Sequence, residues 1–445
     1  MNHGTLNGMN EISQHGQHIS GAGRASARLA GVFAALAAVA LMLSSGCAGR
    51  PSAVQEITPP RIDAAQAGDA AILFDPVKHD ILLTWVAGDS SGVRIWFARS
   101  ADQGVNWTEP VPVTPIAEPL QLNAESSPRM VCDAEGRIGI AWATSVEVPG
   151  RRFPASDLRF SGSSDGGRTW GAPVTINDDS ADGPGSHTFH ALALRPSGGI
   201  YAAWLDSRPG GDSLTTDESE GPDASIHFAR SDDHGAHWGK NLAQWSRVCP
   251  CCRVSLVVDP FGVPYTAFRK HYPGQIRDVV LARPGGEPVR LRVDNWEIDG
   301  CPHAGPPMVL SRDGSLRVAW FTGAEGRTGV YFRQILFETI DSTSTPVTVM
   351  ASEELPTVHV DVGEAGMSGT LLAMDADSTG ANQLTLARVE SSGRRLVERF
   401  VVPGTRGASH PKVATTQAGK QAYVVWTARA GERRTLRMAR WDIGR

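Results

Sequence analysis

Three observations make an all-β fold of repeated four-stranded units the prediction for this 445-residue chain. First, a strand ending in an aromatic residue recurs at Ile81–Trp85, Ile138–Trp142, Ile200–Trp204, Pro264–Phe268, Leu316–Trp320 and Tyr423–Trp426, with a weaker copy at Thr370–Met374. The copies are about 52–64 residues apart, and with β patterning such a period means blades stacked in a ring. Second, the same order of parts recurs around each mark. Third, Gly 48 and Pro 29 supply many turns, while 41% hydrophobic and 20% charged residues are ordinary globular proportions. The repeat count therefore predicts a β-propeller of seven four-stranded blades.

Each unit opens with a strand closed by a tight turn, as at Asp133–Gly136, Asp259–Gly262 and Arg312–Gly314. Asp and Gly there supply a local side-chain hydrogen bond and a left-handed backbone position. The aromatic-ended strand follows. Third strands are predicted at 94–99, 157–161, 225–230, 278–283, 329–334, 383–388 and 435–440, and fourth strands at 110–113, 173–176 and 289–293. The seventh unit stops after its third strand. Val54–Ile57, ahead of the first unit, is expected to supply the missing strand and so close the ring and cover two sheet edges.

Upstream of the repeats, Leu29–Leu43 is an uninterrupted run of apolar and small residues, the size of a signal-peptide core. Ser44-Ser45-Gly46-Cys47 resembles a bacterial lipobox. The expected organisation is a signal peptide over 1–46, a tether over 47–66 lipidated at Cys47, and the propeller over 67–445. A cleaved signal peptide with an unmodified Cys47, or a retained anchor, are the alternatives. The resemblance to Gram-negative lipoproteins implies the outer membrane of the cell envelope, because Ala48 stands where an Asp would favour inner-membrane retention. The net charge of −5 is evenly mixed, and no basic stripe suggests a nucleic-acid partner.

In three units the turn between third and fourth strands reads Ser-x-Asp-x-Gly-x-x-Trp: Ser100/Asp102/Gly104/Trp107, Ser163/Asp165/Gly167/Trp170 and Ser231/Asp233/Gly235/Trp238. Four fixed positions match by chance about once in 10⁵–10⁶ starts. The pattern resembles the Asp-box, or BNR repeat, of sialidase-like propellers. Asp102, Asp165 and Asp233 are read as structural staples of their own turns, each covered by its Trp. Sialidases have six blades, which stands as the alternative to seven.

Propeller strands alternate in direction, so the boxes fall on one rim and the starts of first strands and ends of second strands on the other. Titratable residues collect on that second rim, and Arg129, His187, His190, Arg208, Arg253, Arg269, His271 and His303 are the expected ligand-binding set. Cys249, Cys251, Cys252 and Cys301 share it. They read either as disulfides in an oxidising compartment or, with His303, as a site for copper or zinc. Cys132, alone in an apolar strand, reads as a core thiol. An acidic insertion at Asp212–Asp223 is expected to be a loop over this rim.

The sialidase resemblance implies an arginine grip on a carboxylate, a Tyr nucleophile and an Asp acid/base. Arg129, Arg208, Arg253 and Arg269 are available for the grip, with Tyr272 and Asp206 as the catalytic pair. The expected function is a lipid-anchored envelope propeller that binds a glycan or a protein partner on the Cys/His/Arg-rich rim. The alternatives are an exo-glycosidase of sialidase type and a Cys/His copper or zinc protein.

Overall fold

In a computed structural model the described residues are 52–62, 66–89, 92–114, 118–149, 154–179, 185–208, 224–337 and 345–444. The expectations placed on Cys47 and on the acidic insertion lie outside them. The described chain is all-β, in antiparallel four-stranded sets. The first strands of the seven sets are Ala67–Phe74, Arg129–Cys132, His187–Leu194, Ser255–Val258, Met308–Leu310, Val360–Glu364 and Ala408–Thr415. Each touches the next, and the seventh touches the first, so they line a central channel.

The aromatic marks explain why the sets stack. Trp85, Trp142, Trp204, Phe268, Trp320, Met374 and Trp426 are each no more than 2% exposed. They lie in apolar clusters, several of which are shared between neighbouring blades; Trp142, for example, packs with Leu82, Ile95 and Phe97 of the blade before it. A sheet with two apolar faces must cover both, and a ring of sheets does so without free ends.

The ring is closed by Ala53–Ile57, which pairs antiparallel with the last strand, Arg433–Asp442, from Ala53↔Asp442 to Ile57↔Met438. One feature was not expected. Blades three and four form a single eight-stranded sheet, joined where Val248 pairs with Lys270.

The three Ser-x-Asp-x-Gly-x-x-Trp turns share one hydrogen-bond pattern. In each, the Ser hydroxyl donates to the Asp carboxylate at 2.9 Å and accepts from the Gly amide at 2.7–2.8 Å. The carboxylate also accepts the amide four residues on, from Asn106, Thr169 and His237. Trp170 and Trp238 then meet Phe97 and Phe160 of the preceding blade edge-to-face, with centroids 5.4 and 5.5 Å apart. These turns therefore also fasten one blade to the next.

Candidate functional site

Register against the aromatic mark selects one channel residue in six of the seven blades. The partner of the residue before the mark is Ala71, Arg129, Ala191, Asp361 or Lys412 in blades one, two, three, six and seven. Ser255 is its counterpart in blade four. Two residues nearer the rim lie Arg253, His359 and His410. A cavity of ≈ 460 Å³ runs along these strands, with Arg129, Arg253, Asp361 and Lys412 in its wall. That is within the range of small-ligand pockets, about 300–1,000 Å³.

Glu125, four residues before Arg129, organises the mouth. It is fully buried and forms an ion pair with Arg253, while its second oxygen accepts the Gly305 amide at 2.8 Å. Burial would push this carboxyl up, yet the Arg253 charge, helped by His359, brings it down to about 2. Arg253 spans the mouth and also donates to the Val360 carbonyl at 2.6 Å. Gly305 is required here, because a Cβ would lie 2.2 Å from the Arg253 carbonyl oxygen. His359 donates from Nδ1 to Asp375 at 2.7 Å and its ring lies 3.7 Å from that of His410. Burial lowers its pKa, but Asp375 raises it more, for a net upward shift. Burial and the neighbouring His359 take His410 down to about 3.

Lys412 is the odd member. It is buried, and its ammonium has neither a hydrogen bond nor an ion pair among the described residues. Burial, then Arg253 and Arg129, lower it to about 7. Arg129 donates to the carbonyls of His190 and Glu125, and burial plus Arg253 bring it to about 10. Three cations thus face two carboxylates, Glu125 and Asp361, in a low-dielectric wall.

The rest of the expected set is dispersed. His190 is buried behind Arg129, with Nε2 donating to the Ala141 carbonyl at 3.0 Å. His187 and Arg208 belong to a separate buried cluster with Asp179 and Asp206. Asp206 accepts from Trp204 Nε1 at 2.8 Å and from Arg208 at 2.8 and 3.0 Å. Tyr272 lies under the Arg290 guanidinium, 3.8 Å from its ring centre. No contact joins Tyr272 to Asp206 among the described residues. Arg269 is buried and bonded to backbone carbonyls, and His271 is buried too. His303 is exposed, beside Cys251 and Cys301.

No disulfide joins Cys132, Cys249, Cys251, Cys252 or Cys301. Cys249, Cys251 and Cys252 are buried, and the Cys249 sulfur lies 3.7 Å from each of the other two. Glu125, Asp361, His359 and Lys412 were missed by sequence reasoning. Asp361 and Lys412 sit at the register of Arg129, so aligning the repeats on their marks would have found them.

No family model and no curated protein matches the sequence. Solved structures do match in shape. The BP39L lectin from Burkholderia pseudomallei is 14% identical, with a TM-score of 0.56 over 86% of this chain and 97% of its own. Polysaccharide lyase Uly1 is 10% identical, with a TM-score of 0.52 over 87% and 92%. Trypanosoma rangeli sialidase is 11% identical, with a TM-score of 0.47 over 88% of this chain and 59% of its own. The chain has a β-propeller fold.

Proposed function

We propose that the protein binds an acidic saccharide, bearing a carboxylate or sulfate, in the mouth of its central channel. The observation that carries this reading is Lys412: a buried ammonium aimed at a cavity, crowded by Arg129 and Arg253 and lacking a counter-ion of its own. An anion delivered there would relieve the excess positive charge, and Arg129 could grip it as a planar donor. The fold of the lectin and of the lyase supports a saccharide as the carrier of that anion. The reading is one of binding, because Tyr272, under Arg290, and Asp206, bonded to Trp204 and Arg208, are not brought into contact as a sialidase-type pair would be.

Calorimetry with oligouronates, sulfated oligosaccharides and neutral glucans tests it. An acidic oligomer is expected to bind and the neutral ones not to. Lys412→Ala removes a charge-assisted hydrogen bond of about 1.5–3 kcal/mol, or roughly 10–100-fold in Kd. Binding should also weaken as pH rises through about 7, where the free ammonium loses its proton. Equal affinity for neutral and acidic sugars, or an unchanged Kd in Lys412→Ala, would refute it.

A further inference from the structure

Four clusters of three or more metal-ligating side chains occur among the described residues. Two are already neutralised from within. Glu125, beside His359 and His410, is paired with Arg253 and bonded to Gly305. Asp179 and Asp206, around His187, are paired with Arg208. The other two share Cys251: Cys249/Cys251/Cys252, which is buried, and Cys251/Cys301/His303, of which Cys301 and His303 are exposed. Neither contains a carboxylate.

The three buried sulfurs converge. All lie within 4.8 Å of one another, and Cys249 is 3.7 Å from both partners. Two thiolates bound at about 2.3 Å to one tetrahedral ion sit ~3.8 Å apart, whereas a disulfide needs about 2.05 Å. The charge around them fits as well. Arg269, 1% exposed, spends its terminal nitrogens on the carbonyls of Arg277, Ala304 and Phe321 at 2.8–3.0 Å. Its Nε has no hydrogen-bond partner, and it has no carboxylate partner among the described residues. Its field reaches Cys249 and Cys252. A buried guanidinium without a counter-ion calls for negative charge nearby, and a thiolate-ligated ion supplies it.

We infer that Cys249, Cys251 and Cys252 form a thiolate site for a soft closed-shell cation, copper(I) or zinc, with Cys301 and His303 as the reserve of further ligands. Thiolate selects such ions over hard ones. Copper(I) is satisfied by the three buried sulfurs, whereas zinc takes a fourth ligand; Cys301 and His303 are grouped with Cys251 but not with Cys249 and Cys252, so one of them would have to move in to supply it. Binding exchanges thiol protons for the metal and involves no change of oxidation state. Cys252 immediately precedes Arg253, so the occupied site would fix the lead-in that carries Arg253 to the channel mouth. This inference does not depend on the saccharide reading.

The test uses the full chain, reduced and kept anaerobic. Copper(I) is offered from a bicinchoninate complex and zinc from a chromogenic chelator. One equivalent of one ion should transfer to the protein and raise its Tm, and excess chelator should reverse both. Cys252→Ser should weaken retention by more than the ~10–100-fold that loss of an outer partner costs. Cys301→Ala and His303→Ala, at exposed positions, separate the ions: copper(I) retention survives both changes, whereas zinc retention falls in one of them. Should Cys252→Ser fail to fold, the reversible Tm rise of the wild type decides. Transfer of neither ion to the reduced protein, with Tm unmoved by both, overturns the site.

Discussion

His187 shows how a residue singled out as a ligand group serves stability instead. Its Nδ1 faces the Ser156 carbonyl at 2.5 Å and its Nε2 the Asp179 carboxylate at 3.0 Å. Two acceptors on one ring require both nitrogens to carry hydrogen. Burial lowers the pKa, but the Asp179 hydrogen bond and the Asp206 charge raise it above the ordinary value. A raised folded pKa gives stability that is complete below the unfolded value of about 6.5 and is lost as pH climbs through the folded one. Asp206 and Asp179 are held low, so their share is present above about 4 and is lost in acid. His187→Gln is expected to lower the unfolding free energy by about 3 kcal/mol near pH 5.5 and to flatten the alkaline decline. Denaturant titrations across pH measure both, and a variant curve parallel to the wild type above pH 6.5 would rule this out. Which histidines carry charge was not legible in the sequence, because the deciding partners lie outside each histidine's own strand: Ser156 and Asp179 for His187, Asp375 for His359.

At the scale of the element, the box-bearing hairpin was the most legible part of the chain. Its Ser, Asp and Gly positions have local, sequence-adjacent partners, so spacing alone conveys their geometry. What spacing did not convey is their second duty at the blade boundary. Gly235 has φ +90°, and a Cβ there would lie 2.0 Å from the Phe160 ring. Gly198 has a similar φ of +82° but meets nothing within 4 Å. Gly198→Ala should therefore cost only backbone strain, about 1–3 kcal/mol. Gly235→Ala should add an overpacking cost of about 1–3 kcal/mol more. Parallel chemical denaturation of the two variants checks the difference. Equal losses would mean that the hairpin does not bear on its neighbour.

For the whole molecule, the repeat period made the ring legible, because one apolar mark per blade survives even where Met374 replaces an aromatic. The channel chemistry was far less so, since a pocket assembled from several blades has no contiguous signature. The ring's integrity depends on a strand remote in sequence from the one it covers. Glu56 accepts two hydrogen bonds from Arg437 at 2.7–2.8 Å, and the Thr58 carbonyl accepts from Trp107 Nε1 at 3.0 Å. Deleting 52–58 would bare the edge of Arg433–Asp442 and invite pairing between molecules. The expected result is a lower Tm and concentration-dependent oligomers in light scattering. A variant that stays monomeric with an unchanged Tm would show that closure lies elsewhere.

The ladder shared by blades three and four makes the wheel uneven. Torsion at that boundary must shear the backbone pairing of Val248 with Lys270, not merely slide side chains past each other. The arc that carries the three buried sulfurs is thus held by main-chain pairing as well as by side-chain packing, whereas the histidine pair and Lys412 stand on blades whose sheets remain separate.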